Sequence, residues 1–224
     1  VAVIGDEAEA AQGVAHIGLR ARRAAHGELP AAALARQHQG SLVVTAVVEV
    51  PEGESLLSGR AQSRVAEALL DTAIKYAESR GIAATPVLKI ARRISHAIAQ
   101  TAREENCNFL IMGQAVGHSL LERLVASIVD RVLSEAPCHV GVVYGRIDRA
   151  RIRAILTPVT TGKNSLLAVE LTPSLAHWFE APTRLVTVIE YGTDERQAGD
   201  MLAAARATVK EAGLEDEIKV LHRR

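Results

Sequence analysis

The sequence predicts an α/β protein built on a parallel sheet with helices on both faces. Short β-branched runs alternate with helical stretches along the chain. The runs are continuously apolar, as in strands buried from both sides. The alternation then begins again after about residue 150, as though part of the first half were copied.

"VAVIG" (1–5) reads as the first strand. An alanine-rich helical region follows, broken near Gly27 and Pro30 and ending around His38. "SLVVTAVVEV" (41–50) is the second strand, closed by Pro51. A loop, "PEGESLLSG", leads to a helix over about 61–80, which Gly81 stops as a C-cap. "TPVLKIA" is the third strand. "SHAIAQTAREEN" is a helix with Ile94, Ala97, Ile98 and Thr101 along one side. "FLIMG" (109–113) is the fourth strand. The next helix has the clearest period. Leu120, Leu121, Leu124, Val125, Ile128, Val129, Val132 and Leu133 recur at three- and four-residue steps, one apolar stripe against a sheet. Glu122, Arg123, Ser127, Asp130 and Arg131 fall on the other side as a solvated face. Pro137 ends the helix, and "HVGVVYG" (139–145) is the fifth strand.

Composition narrows the function classes. The chain has 224 residues, 48% of them hydrophobic, enough for a sizeable core. Lys+Arg 26 against Asp+Glu 26 gives zero formal charge, which argues against a basic nucleic-acid surface. Aromatic residues at 3% argue against base-stacking platforms. Cys107 and Cys138 form no CxxC and no ligand cluster, which fits a reducing, cytoplasmic setting. No run reaches 18 apolar residues, so no membrane insertion is expected, and no signal peptide is visible.

The repetition is specific. "LARQHQGSLVVTAVVEV" (34–50) matches "LAHWFEAPTRLVTVIEY" (175–191) without a gap, and "GIAATPVLKIARR" (81–93) resembles "GLEDEIKVLHRR" (213–224). Two domains are expected, at 1–145 and 151–224, the second an incomplete copy. The copy has no counterpart of the third and fourth helices, the glycine loop or the fourth and fifth strands. A half-sheet exposes an edge and apolar surface, so the repeat is expected to complete itself beyond Arg224 by roughly fifty residues.

"FLIMG", the spaced small residues after it and "DRVLSEAPCHVGVV" resemble the universal stress protein (UspA-like) superfamily, over nearly the whole chain. The resemblance implies a five-stranded parallel sheet of order 3-2-1-4-5, of the adenine nucleotide alpha hydrolase-like kind. The switch point between strands one and four then lies beside the glycine loop. It also implies a stress-response role and a small ligand, ATP or AMP, held by that loop and the N-terminus of the fourth helix.

ATP-binding members carry a glycine, two residues, a second glycine, nine residues, then Gly-Ser or Gly-Thr. Met112 and Gly113 open the corresponding stretch. The second glycine falls on Val116, with Gly117 one place late, and the third on Ala126, followed by Ser127. Met112, Gly113, Gly117, Ala126 and Ser127 are therefore the candidate nucleotide-binding residues. Those members also place an Asp at the end of strand one. Read without a gap, that place is Ile4, and in the second copy Thr160. A β-branched residue at a bend needing positive φ is an outlier, so Val116 points to a degraded site.

Other motifs carry less. "TPVTTGKNS" (157–165) fails as a Walker loop at Thr157 and Asn164 and reads as a strand-to-helix turn, with Gly162 for the bend and Asn164 or Ser165 as N-cap. His118 and Ser119 belong to the glycine loop, as loop or cap. There is no HExxH and no GxSxG. Cys107 and Cys138 read as small core residues. No metal site and no catalytic set emerge.

The expectation is a non-enzymatic regulatory or ligand-binding module, with a weak ATPase as its rival. "VVEVPEGESLL" (47–57) resembles stress-protein-like tails of amino-acid permeases and antiporters, which implies attachment to a transporter at the cytosolic face of a membrane. A homodimer through residues 139–145 is expected, because an uncharged edge strand pairs.

Overall fold

The computed structural model describes residues 14–18, 28–55, 57, 59–114, 120–144, 147–214 and 218–223. The chain divides into two compact units, Val1–Ile147 and Asp148–Arg224.

The first unit contains β1 (Val14–Gly18), α1 (Glu28–Gln37), β2 (Leu42–Glu49), α2 (Gly59–Glu78), β3 (Ala84–Ala91), α3 (Ile94–Glu104), β4 (Phe109–Gln114), α4 (Leu120–Glu135) and β5 (His139–Tyr144). Its five parallel strands lie in the order β3-β2-β1-β4-β5. Right-handed crossovers give this order its layers: β1 to β3 step one way and place α1 and α2 on one face, while β4 and β5 step back and place α3 and α4 on the other.

The first strand is a correction. "VAVIG" (1–5) lies outside the described residues, and β1 is "VAHIG", inside the region read as helix. Five residues with a central histidine and glycines on both sides offer no period to read. Its partners select it: β1 pairs with β2 from Val14↔Val43 to Gly18↔Val47, and with β4 at Val14↔Leu110 and Ala15↔Ile111. Pro30 does not break the helix. It sits in the first turn of α1, where its missing N–H costs no helical bond.

Beneath α3 and α4, Val43 and Val47 of β2 and Leu110 and Met112 of β4 meet Ala97, Ile98, Ala102, Val129 and Val132. Val140 and Val142 of β5 pack against the same cluster. Burying each of the larger side chains is worth about 1.5–3 kcal/mol. The α3 stripe is broader than its period showed, since Ser95, Ala99 and Ala102 are buried beside Ala97, Ile98 and Thr101. Small residues let that helix lie close to the sheet. In α4 the apolar stripe stops at Val132. Leu133 is 51% exposed, on the same side as Asp130 and Arg131. On the other face, Gly59 lets α2 begin against the sheet, because a Cβ there would stand 2.6 Å from Ile90 Cγ2.

The second unit contains β6 (Ile155–Pro158), α5 (Lys163–Phe179), β7 (Thr183–Glu190), α6 (Glu195–Glu211) and β8 (Ile218–Arg223). The strands are parallel, in the order β6-β7-β8. Its connectivity is that of β1 to β3. Helix ends correspond too. Gln39 and Glu180, aligned by the gapless match, both take φ 53 after α1 and α5. Gly81 and Gly213 take φ 70 and 73 after α2 and α6. The 40–35 backbone bond has its counterpart at 181–176. Val159, Val169, Leu185, Ala205, Val209 and Ile218 form the core between the sheet and its two helices.

Candidate functional site at the carboxyl ends of β1 and β4

The chain leaves β1 toward β2 on one side, and β4 is its neighbour on the other. Their carboxyl ends flank the point where the strand order reverses, the usual crevice of an open parallel sheet. Gly113 stands there, exposed near the end of β4 and level with Val143 of β5. Met112, one residue earlier, is 4% exposed and packs in the core with Leu110. It has no side chain to offer a ligand. Gly117, with Val116, His118 and Ser119, lies outside the described residues.

The helix that follows departs from the spacing-based expectation. α4 starts at Leu120, so Ala126 and Ser127 are its seventh and eighth residues. Only the first four N–H groups of a helix lack an internal acceptor. The donors free for an anion therefore belong to Leu120, Leu121, Glu122 and Arg123, not to Ala126 and Ser127. Alanine, the best helix former, does nothing to interrupt the helix where the family's pattern has glycine.

The position at the end of strand one also moves. Ile4 lies outside the described residues, and the strand ends at Gly18. The registers give the same answer. Pro158 pairs with Val186 and His16 with Thr45, two equivalent positions, so Thr160 corresponds to Gly18. Carrying the second copy's strand back through the repeat was the signal that could have located β1. From Val14 to Gly27 the sequence has no Asp or Glu and three arginines, Arg20, Arg22 and Arg23. The acid expected of an adenine site is absent from this stretch.

Arg92, just past β3, was not singled out by the sequence. Its guanidinium donates to the carbonyl oxygens of Pro51 at 2.7 Å and Glu54 at 2.9 Å. It ties the loop after β2, with Gly53 at φ 95, to the end of β3. In the second unit the turn after β6 uses Gly162 itself as N-cap, at φ 99. Asn164 and Ser165 fall inside α5, and Ser165 Oγ accepts the Thr160 N–H at 2.8 Å.

Both cysteines are free thiols. Burial pushes Cys138 up to about 11 and Cys107 higher still, where the Cys138 and Glu105 charges add to burial. Neither is a ready nucleophile. Among the described residues no group of three or more His, Cys, Asp or Glu could hold a metal ion. No helix among them is long and apolar enough to cross a membrane.

The sequence across this sheet is matched by a family. The model of the universal stress protein family covers residues 21–144, more than half of the chain, and the chain belongs to that family. The Na(+)/H(+) antiporter NhaS5 of Synechocystis sp. (strain ATCC 27184 / PCC 6803 / Kazusa) is 30% identical over 173 residues, 74% of this chain. The chain spans 24% of the antiporter's length. A putative universal stress protein from Pseudomonas aeruginosa UCBPP-PA14 superposes with TM-score 0.62 at 14% identity, over 94% of this chain and 73% of its own. A universal stress protein from Archaeoglobus fulgidus DSM 4304 gives TM-score 0.61 at 14% identity, over 94% and 77%. At these identities the two structures share the fold.

Proposed function

We propose that this chain is a regulatory, ligand-binding module of the universal stress protein type whose nucleotide site is degraded, and that it does not catalyse a reaction. The observation that carries this reading is α4 running unbroken from Leu120 through Ala126 and Ser127. A phosphate set down beside Gly113 would find those two amides already bonded within the helix. The missing acid after β1 removes the adenine's acceptor as well. The second unit is an incomplete second copy of the same domain, supported by its strand order and matching helix ends. The likeness to an antiporter supports a place as the cytosolic regulatory domain of a membrane transporter.

The test has two arms. Mass spectrometry of nucleotide released from the purified protein, with calorimetric titration of ATP and AMP, examines the site. Stoichiometric ATP, or turnover of ATP, would instead favour a nucleotide-binding protein with weak ATPase activity. Reading the coding frame upstream of Val1 examines the attachment. Apolar runs of about 20 residues there support a transporter tail, and a start codon at that point removes it.

A further inference from the structure

Thr45 stands at the middle of β2, fully buried, and its hydroxyl has no hydrogen-bond partner among the described residues. A buried hydroxyl left unpaired is costly, and native proteins hold few of them. Most of its surroundings are apolar. Val43 and Val47 flank it on the α3 side of β2, Val87 is level with it on β3, and Ala97 and Ile98 lie above. The register with β1 supplies the exception, because His16 is level with Thr45. One step beyond Ala15↔Ile111, the register with β4 sets His16 level with Met112, which is 4% exposed in the same cluster. Side chains alternate along a strand, so His16 shares the α3 side of the sheet with Thr45 and Met112. That side of β1 packs against α3.

We propose that His16 and Thr45 form a pH-sensitive switch in the first unit: the neutral imidazole is the partner of the Thr45 hydroxyl, and protonation loosens β1 from the layer beneath α3. A neutral imidazole has one donor and one acceptor nitrogen, so either tautomer can satisfy a hydroxyl. An imidazolium at that position would be a charge with no carboxylate to meet it. The groups that β2, β4, α3 and α4 bring to that side are Thr45, Met112, Ala97, Ile98, Thr101, Val129 and Val132, and Thr101 already donates to the Ala97 carbonyl. The titratable member of the cluster is Cys107, which burial keeps as a neutral thiol. The charged groups of these helices, Arg103, Glu104, Asp130 and Arg131, are exposed. The folded chain therefore favours neutral His16, and the unfolded chain, titrating near ~6.5, takes up the proton first. Stability is complete above that value and falls as the pH drops below it. Because β1 and β4 flank the switch point, acid loosens the crevice between their carboxyl ends, with or without a ligand in it.

The test is a nuclear magnetic resonance titration of the 224-residue chain with isotope-labelled histidine, in which His16→Gln identifies the His16 signals. They are expected to stay neutral and in a single tautomer down to about pH 5.5, a full unit below the ordinary imidazole value. Thr45→Val should turn that single tautomer into a mixture. Between about pH 7.5 and 5.5 the urea unfolding constant of the parent chain should rise roughly tenfold more than that of His16→Gln, the factor for one proton bound by the unfolded chain alone. Where His16→Gln does not fold, the histidine signals that Thr45→Val moves identify His16 instead. His16 titrating near ~6.5, or equal pH dependence in the parent chain and His16→Gln, overturns the switch. A tautomer mixture in the parent chain that Thr45→Val leaves unchanged overturns the pairing.

Discussion

Reversing the changes at the switch point should reopen the site. The variant combines Gly18→Asp, Val116→Gly and Ala126→Gly. Gly18 ends β1, so an aspartate there stands where an adenine or ribose donor would meet it. One hydrogen bond to a charged acceptor is worth about 1.5 kcal/mol or more. Glycine at 126 lowers by ~1 kcal/mol the cost of ending the helix there, which is what freeing the amides of residues 126 and 127 requires. Glycine at 116 removes a β-branched side chain where the family's pattern has glycine, worth ~1 kcal/mol or more where the pattern requires positive φ. Together these approach 3–4 kcal/mol, a gain of roughly a hundredfold or more in affinity. Calorimetry with ATP is expected to give millimolar or no binding for the parent chain and tens of micromolar for the variant. Ala126→Gly alone should gain no more than about fivefold while costing ~1 kcal/mol in urea unfolding. Tight binding by the parent chain would refute the reasoning, since Gly113 and the amides of Leu120–Arg123 would then suffice. A triple variant that folds but gains nothing would refute it from the other side.

Ile98→Ala should destabilise the first unit by about 2–5 kcal/mol in urea unfolding, because Ile98 is fully buried among Val43, Val47 and Leu110. Gly141→Val should cost about 1–3 kcal/mol, since even its Cβ would lie 3.2 Å from Phe109 Cε1. The pairing expected through residues 139–145 follows from β5 being the sheet edge, and light scattering at high micromolar concentration should show a dimer. A monomer, with Val140 and Val142 amides unprotected in hydrogen exchange, would count against it. Thiol labelling at pH 7 should be slow at both cysteines. The raised pKa leaves almost no thiolate there, and the rate at Cys138 should climb tenfold per pH unit up to about 11.

What the sequence determined is what its local chemistry repeats. Helices with a long apolar period, such as α4 with Val129 and Val132, and strands of continuous β-branched residues, such as β2, announce themselves because one face or both must leave water. Gly81 ended α2 as read, since only glycine takes φ 70 without strain. Gln39 and Glu180, set against each other by the gapless match of 34–50 to 175–191, both take φ 53. Tertiary structure decided what depends on distant partners. β1 is a strand because β2 and β4 flank it, and nothing within "VAHIG" says so. That pairing moved the end of strand one from Ile4 to Gly18. The start of α4 is equally non-local to a spacing pattern. Counting from Gly113 places Ala126 and Ser127 at a phosphate, but the helix begins six residues earlier and uses their amides itself. The gapless match already set Arg184 against Val43, but that Lys219 stands where Val87 does emerged from strand registers, which sequence alone does not contain.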